Sequence, residues 1–153
     1  MIDSGITSEF DAVVSLLHDA GVSQSGLALL LNTHEHMDHI GNNGALVQAT
    51  GSLVAAHASR SRYIENLDDN SDFYVHRFPE VNPRFDAYAE YRQYMGPLGS
   101  PVSLLIREGM RIDFGGVEIE VFEFPGHTPA EIGFLETTSN TLIIGDSLAH
   151  AWL

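Results

Sequence analysis

Leu27-Ala28-Leu29-Leu30-Leu31-Asn32-Thr33-His34-Glu35-His36-Met37-Asp38-His39-Ile40-Gly41-Asn42-Asn43-Gly44 is the stretch on which the reading of the fold turns. Its first five residues are all apolar, follow Gly26 and are too few for a helix, so they read as a buried strand. Directly after them, three histidines and an aspartate fall within positions 34 to 39. Four metal donors in one tight loop would need solvation or partners of their own, and a bound cation supplies the partner. Imidazole and carboxylate without thiolate suit zinc, iron, manganese or nickel. His34 and His36 are two apart, so in an extended loop they project to the same side. Asp38 and His39 follow after the chain turns, and the run therefore feeds two adjacent centres. It is not a His-Glu-x-x-His helix, so Glu35 is expected behind a ligand or in solvent, not as a protease general base.

Two further loops carry donors. Pro125-Gly126-His127-Thr128-Pro129 holds a histidine in a rigid turn at a strand end. Gly145-Asp146-Ser147 places a carboxylate just past the apolar run 142–144, where it can bridge two metals.

Around these loops the chain reads as α/β first and mostly antiparallel β afterwards. Thr7 or Ser8 is expected to cap a helix whose apolar face is Phe10, Val13, Val14 and Leu17, with Gly21 as its stop. Residues 44–50 and 83–95 read as helices, and Leu53 to Ala56 as a strand. Val102 to Ile106, Met110 to Asp113, Val117 to Phe122, Ile132 to Glu136 and Thr141 to Ile144 read as strands, punctuated by Phe114-Gly115-Gly116 and Thr138-Ser139-Asn140.

At 153 residues the prior is a single domain, 1–153, with an aromatic-rich cap insertion at 60–100. Eight of the 14 aromatics lie there: Tyr63, Phe73, Tyr74, Phe78, Phe85, Tyr88, Tyr91 and Tyr94. They read either as a helical cluster packed on itself or as an apolar wall over the metal cleft, with Arg84, Arg92 or His76 to meet a substrate anion. His57 reads as structural, and His18 as solvated on the first helix. With no cysteines, disulfides and thiolate sites are excluded. A net charge of -14 disfavours nucleic acid as a partner, since phosphates would be repelled. No run approaches the ~18 apolar residues of a membrane span. Met1-Ile2-Asp3-Ser4-Gly5 shows no signal-peptide pattern, so a cytoplasmic location is expected.

The ordered set His34-x-His36-x-Asp38-His39, Pro125-Gly126-His127-Thr128 and Gly145-Asp146 resembles the metallo-β-lactamase superfamily, and Asp3-Ser4-Gly5 is similar to its early Asp-x-Gly turn. The resemblance implies an αβ/βα sandwich with metals at one edge of two facing sheets. It implies that His34, His36 and His127 bind a first metal, that Asp38 and His39 bind a second, that Asp146 bridges them, and that Asp3 supports the loop. It implies two zinc ions per chain, with iron, manganese or nickel as the other metals these donors suit. The chain departs from the family pattern at both ends. It lacks the strands that precede the Asp-x-Gly turn and a later histidine that completes the second metal, for which His150 lies too near Asp146. The sandwich is therefore expected to be incomplete, and a second copy could complete it as a homo-oligomer.

The implied activity is metal-dependent hydrolysis of a small molecule. A metal-bound hydroxide attacks an ester, thioester, lactone or β-lactam carbonyl, and Asp38 orients the nucleophile. Two other readings remain: a mononuclear-iron oxidoreductase like the persulfide dioxygenases, using His34, His127 and Asp146, and a non-catalytic half-domain that assembles as an oligomer.

Overall fold

The computed structural model describes residues 1–77 and 87–148. Two sheets face each other, and helices cover the outer face of the first. The first sheet is parallel, in the order β1 (Leu29–Leu31), β2 (Leu53–His57), β3 (Leu104–Ile106), with Leu30 beside Val54 and Ala56 beside Leu105. Met1 to Asp3 runs along the free side of β1, bonded through Leu31 N–H to Met1 O at 2.9 Å and Asp3 N–H to Leu31 O at 2.9 Å. The second sheet is antiparallel, in the order β4 (Arg111–Asp113), β5 (Glu118–Glu123), β6 (Ile132–Glu136), β7 (Thr141–Ile143).

Side chains alternate across a strand, so a strand buried on both faces must be apolar throughout. The run at Leu29–Leu31 meets that demand. Leu30, Val54 and Ala56 point to the helices, where they pack with Ile40, Leu46, Ile64, Leu67 and Met95. Leu31, Ala55 and Ile106 point the other way, onto Val121, Ile132 and Phe134 of the second sheet. Phe134 is fully buried there.

Helix α1 (Phe10–Asp19) lays Phe10, Val13 and Leu17 on the core and leaves His18 in solvent. Its start differs from the expected cap. Thr7–Glu9 form a 3-10 turn, and the Thr7 hydroxyl donates to Gly41 O (3.3 Å) and Tyr94 O (3.1 Å), so it fastens a distant loop instead of capping. Helix α2 (Met37–Ile40) is a single turn inside the histidine-rich loop, and α3 (Asn43–Thr50) follows, ending on Gly51 with φ 73°. Helices α4 (Ser61–Glu65) and α5 (Leu67–Arg77) occupy part of the aromatic-rich segment. Of the helix expected over 83–95, Ala87–Arg92 is helical (α6), residues 93–94 are turn, Met95 is a bend, and 83–86 lie outside the described residues.

The expectation of mostly antiparallel pairing in the second half holds for β4 to β7, and β3 is the exception, joining β2 in parallel. A short apolar strand carries no mark of its partner's direction; the long connection from residue 58 to residue 103 is what permits the parallel crossover. No helix among the described residues is long and apolar enough to cross a membrane.

Candidate metal centre

The carboxyl ends of β1, β5 and β7 lie at one edge of the sandwich, and the three donor loops leave from there. The sheets are joined at this edge by Ile132 N–H to Thr33 O, 2.9 Å. The loop after β1 is held by polar groups that are themselves buried. Asn32 and Asn43 exchange side-chain amide bonds across its base, with Asn43 Nδ2 to Asn32 Oδ1 at 2.7 Å. Asn42 Nδ2 donates to Ser4 O (2.8 Å) and Ile6 O (2.7 Å), and Ser4 N–H donates to His39 O (2.7 Å). Asp3 takes a left-handed φ of 52°, a conformation that Asp and Asn tolerate better than most residues. That turn aims its carboxylate at the loop. Oδ1 accepts Thr33 N–H at 2.8 Å, and Oδ2 accepts both the Thr33 hydroxyl and His39 Nδ1–H at 2.8 Å.

These bonds fix which ring nitrogens are bare, by assignment from the network. Thr33 gives its only hydroxyl proton to Asp3, so toward His34 Nδ1, 3.1 Å away, it can only accept. His34 Nδ1 therefore carries the proton, and Nε2 is a lone pair. Asp3 likewise holds a proton on His39 Nδ1 and leaves Nε2 facing the cleft. Burial, and then the neighbouring histidines, hold His34 far below the ordinary imidazole range; burial, with His127 next, holds His36 at about 4. Burial also opposes charge on His39, but the Asp3 hydrogen bond and the nearby carboxylates outweigh it and raise His39 to about 8.

Two donor groups result. His34 Nε2 and His127 Nε2 converge on His36 Nδ1 at 3.1 and 2.8 Å. His34, His39 and Asp146 form the second, with His39 Nε2 3.5 Å from Asp146 Oδ1. The other oxygen, Asp146 Oδ2, lies 3.5 Å from His127 Nε2, so this carboxylate spans the groups. Asp38 stands at the rim, 56% exposed, with Oδ2 3.7 Å from His39 Nε2. Ring nitrogens of His34 and His36, held neutral and turned inward beside carboxylates that only accept, are a poor hydrogen-bonding arrangement and a good one for divalent cations. The residues present fit metal.

Behind the ligands lie two buried acids. Glu35 is fully buried. Its Oε1 accepts the Tyr74 hydroxyl at 2.6 Å and lies 3.6 Å from Arg60 Nε, and its backbone O accepts Asn70 Nδ2 at 2.8 Å. Of the two expectations for Glu35, solvent is excluded. Burial and the Glu35 carboxylate push the Tyr74 phenol well above its usual range. Glu131, absent from the sequence-based site, is the second. Its Oε1 accepts Asp146 N–H at 2.9 Å and lies 3.5 Å from His34 Nδ1. Burial pushes its carboxyl up to about 7, against the lowering effect of the Asp146 N–H bond. Its signal in the sequence is an acid set between Ala130 and Ile132, four residues past His127.

The described part of the aromatic segment packs on itself, and one of its rings touches a histidine of the cluster. Tyr63, Phe73, Tyr74 and Tyr91 pack in series, with ring centroids 4.9, 5.0 and 5.8 Å apart, and Tyr74 also meets His36 at 4.6 Å. Arg92 does not serve as an anion site: it pairs with Asp68 at 3.0 Å and caps the carbonyls of Met95, Gly96 and Pro97. His76 is paired with Asp72 on the surface. His57 joins Ser59 and Glu123, which ties β2 to β5, in line with a structural role. Phe78, Phe85, Arg84 and His150 lie outside the described residues, as does the side chain of Tyr88.

Two facing sheets with a His/Asp cradle at their shared edge define a class that solved structures already populate. A beta-lactamase from Chitinophaga pinensis matches at TM-score 0.67 and 23% identity, covering 88% of this chain and 45% of that one. A native metallo-beta-lactamase from Legionella gormanii matches at TM-score 0.68 and 19% identity, covering 92% and 49%. These likenesses concern the fold. The chain belongs to the metallo-beta-lactamase superfamily, whose family model matches residues 1–151. Curated relatives include hydroxyacylglutathione hydrolases of Haemophilus influenzae, 29% identical over 80% of this chain and 50% of that protein, and of Cereibacter sphaeroides, 30% identical over 80% and 34%. The chain thus spans half or less of the length of these relatives.

Proposed function

We propose that the site binds two divalent metals, zinc by preference, and hydrolyses a carbonyl substrate, a thioester first among them. The observation that carries this reading is Asp146, whose two oxygens each lie 3.5 Å from a histidine of a different donor group. A single iron needs fewer donors than the four imidazoles and two carboxylates gathered here. His34, His36 and His127 would hold one cation, and His39, Asp146 and Asp38 the other. Bound metals supply Lewis-acid polarisation of the carbonyl and a nucleophile from water near neutral pH.

The chain's own residues do the rest. Asp3 keeps His39 in the tautomer that can ligate. Asp38, at the open rim, is placed to orient an incoming water and take up its proton. The Tyr74 ring, packed on His36, closes one wall against solvent. The thioester preference is supported by the hydroxyacylglutathione hydrolases among the relatives.

The test is a panel of a hydroxyacylglutathione, an ester, a lactone and a β-lactam, assayed with metal-loaded protein, with chelated protein and with His36→Ala. Thioester turnover that is lost on chelation and in the variant is expected. Loaded protein that turns over none of the panel, or a variant as active as the parent, overturns the proposal.

A further inference from the structure

Glu131 is one of two buried acids of the site that no ligand role uses. It sits fully buried where β6 begins, with Ala130, Ile132 and Phe134 around it in sequence, all buried as well. Packing alone does not call for a carboxylate there, because burying one is unfavourable unless it is partnered. Its partners are specific. Oε1 accepts the backbone N–H of Asp146 at 2.9 Å and lies 3.5 Å from His34 Nδ1, a proton that Thr33 Oγ1 shares at 3.1 Å. Oε2 has no hydrogen-bond partner among the described residues. The turn above is shaped to admit it: a Cβ on Gly145, where φ is +51°, would come within 2.6 Å of Oε1 and 2.7 Å of Thr33 Oγ1. Only glycine lets the end of β7 close on this carboxylate.

His34 belongs to both donor groups, and Asp146 spans them. A carboxylate behind a ligand histidine fixes its tautomer and raises its basicity. We propose that Glu131 is a positioning residue of the metal cradle, one carboxylate that fixes the shared histidine by its Nδ1 edge and the spanning aspartate by its backbone N–H. This rests on the metal reading above.

The test compares the full chain with Glu131→Met, which keeps volume and removes both oxygens, and with Glu131→Gln, which keeps an acceptor at Oε1. Metal affinity is measured by competition with a chromophoric chelator, the ligand field by the visible spectrum of the Co(II)-substituted protein, and the metal-free melting temperature serves as a fold control. Glu131→Met is expected to weaken metal binding roughly 10–100-fold and alter the Co(II) spectrum, and Glu131→Gln to recover most of both. A folded Glu131→Met variant with parental affinity and spectrum overturns the proposal, as does a glutamine variant no better than methionine. If Glu131→Met does not fold, the glutamine variant decides alone: its failure to hold Co(II) with a near-parental spectrum overturns the role. A parent chain that binds no metal overturns the metal reading itself, which separates the two failures.

Discussion

The substitution Asp3→Asn isolates the contact that orients His39. Asn tolerates the left-handed φ of 52° at this position about as well as Asp, so the backbone is not the variable. Oδ1 still accepts Thr33 N–H, and what changes is the atom that faces both His39 Nδ1 and the Thr33 hydroxyl at 2.8 Å. A carboxylate there favours the charged imidazole and helps raise His39 from 6.5 to about 8. A rise of about 1.5 units is worth about 2 kcal/mol of folding stability, of which Asp3 is the main favourable source. Because the folded value is the higher one, this stabilisation is fully present below pH 6.5 and fades as the pH rises through about 8. Urea unfolding of chelator-treated protein should therefore show the penalty of Asp3→Asn larger by about 2 kcal/mol near pH 6 than near pH 9, on top of a pH-independent part from the Thr33 hydroxyl. Other titrating groups act in both proteins and cancel in the difference. A penalty that is the same at both values, or absent near pH 6, would refute the His39–Asp3 ion pair. The variant should also bind the second metal more weakly, because the Asn amide donates to Nδ1 and moves the proton to Nε2, the ligating atom.

Three further outcomes are expected. His34 and His36 are neutral in the fold and take up protons on unfolding, so chelated protein should lose stability as the pH falls from 6.5 toward 4; Glu131, raised to about 7, acts in the opposite sense but is one group against two. A urea midpoint no lower at pH 5 than at pH 7 would contradict this. Tyr74→Phe removes the O–H donor from the buried Glu35 Oε1 and should cost about 1–3 kcal/mol in urea unfolding, with an unchanged m value; a change under a few tenths would show that Arg60 suffices. Phe134→Ala should cost about 3–5 kcal/mol, a large share of a small domain's stability, read as a lowered melting temperature, and a near-parental melt would place Phe134 outside the inter-sheet core.

The cluster was legible because its residue types are rare in combination: His34, His36, His39, His127 and Asp146 come together in two groups that could hold a metal, while Asp38 stays at the rim. The first helix and most strands were legible from apolar period. Helices α4 and α5 were not, because Asp68, Asp69, Asn70 and Asp72 give α5 little apolar face. Their stability is tertiary, from Asn70 Nδ2 bridging Glu35 O and Tyr63 O. A usable signal was nevertheless present: Asn66 Oδ1 accepts the N–H groups of Asp68 and Asp69, an N-cap with acids in the first turn. Glu131 was missed for a different reason. An acid beside a strand reads as a solvent-facing residue, and only the closure of Gly145 over it shows otherwise.

The most direct test is metal content per chain, by elemental analysis of the purified protein reconstituted with zinc, for the parent and for Asp146→Ala. The spanning position of Asp146 predicts close to two metals bound by the parent and at least one lost in the variant. A parent that binds less than one metal per chain, or a variant that binds as many as the parent, would contradict a binuclear cradle bridged by Asp146.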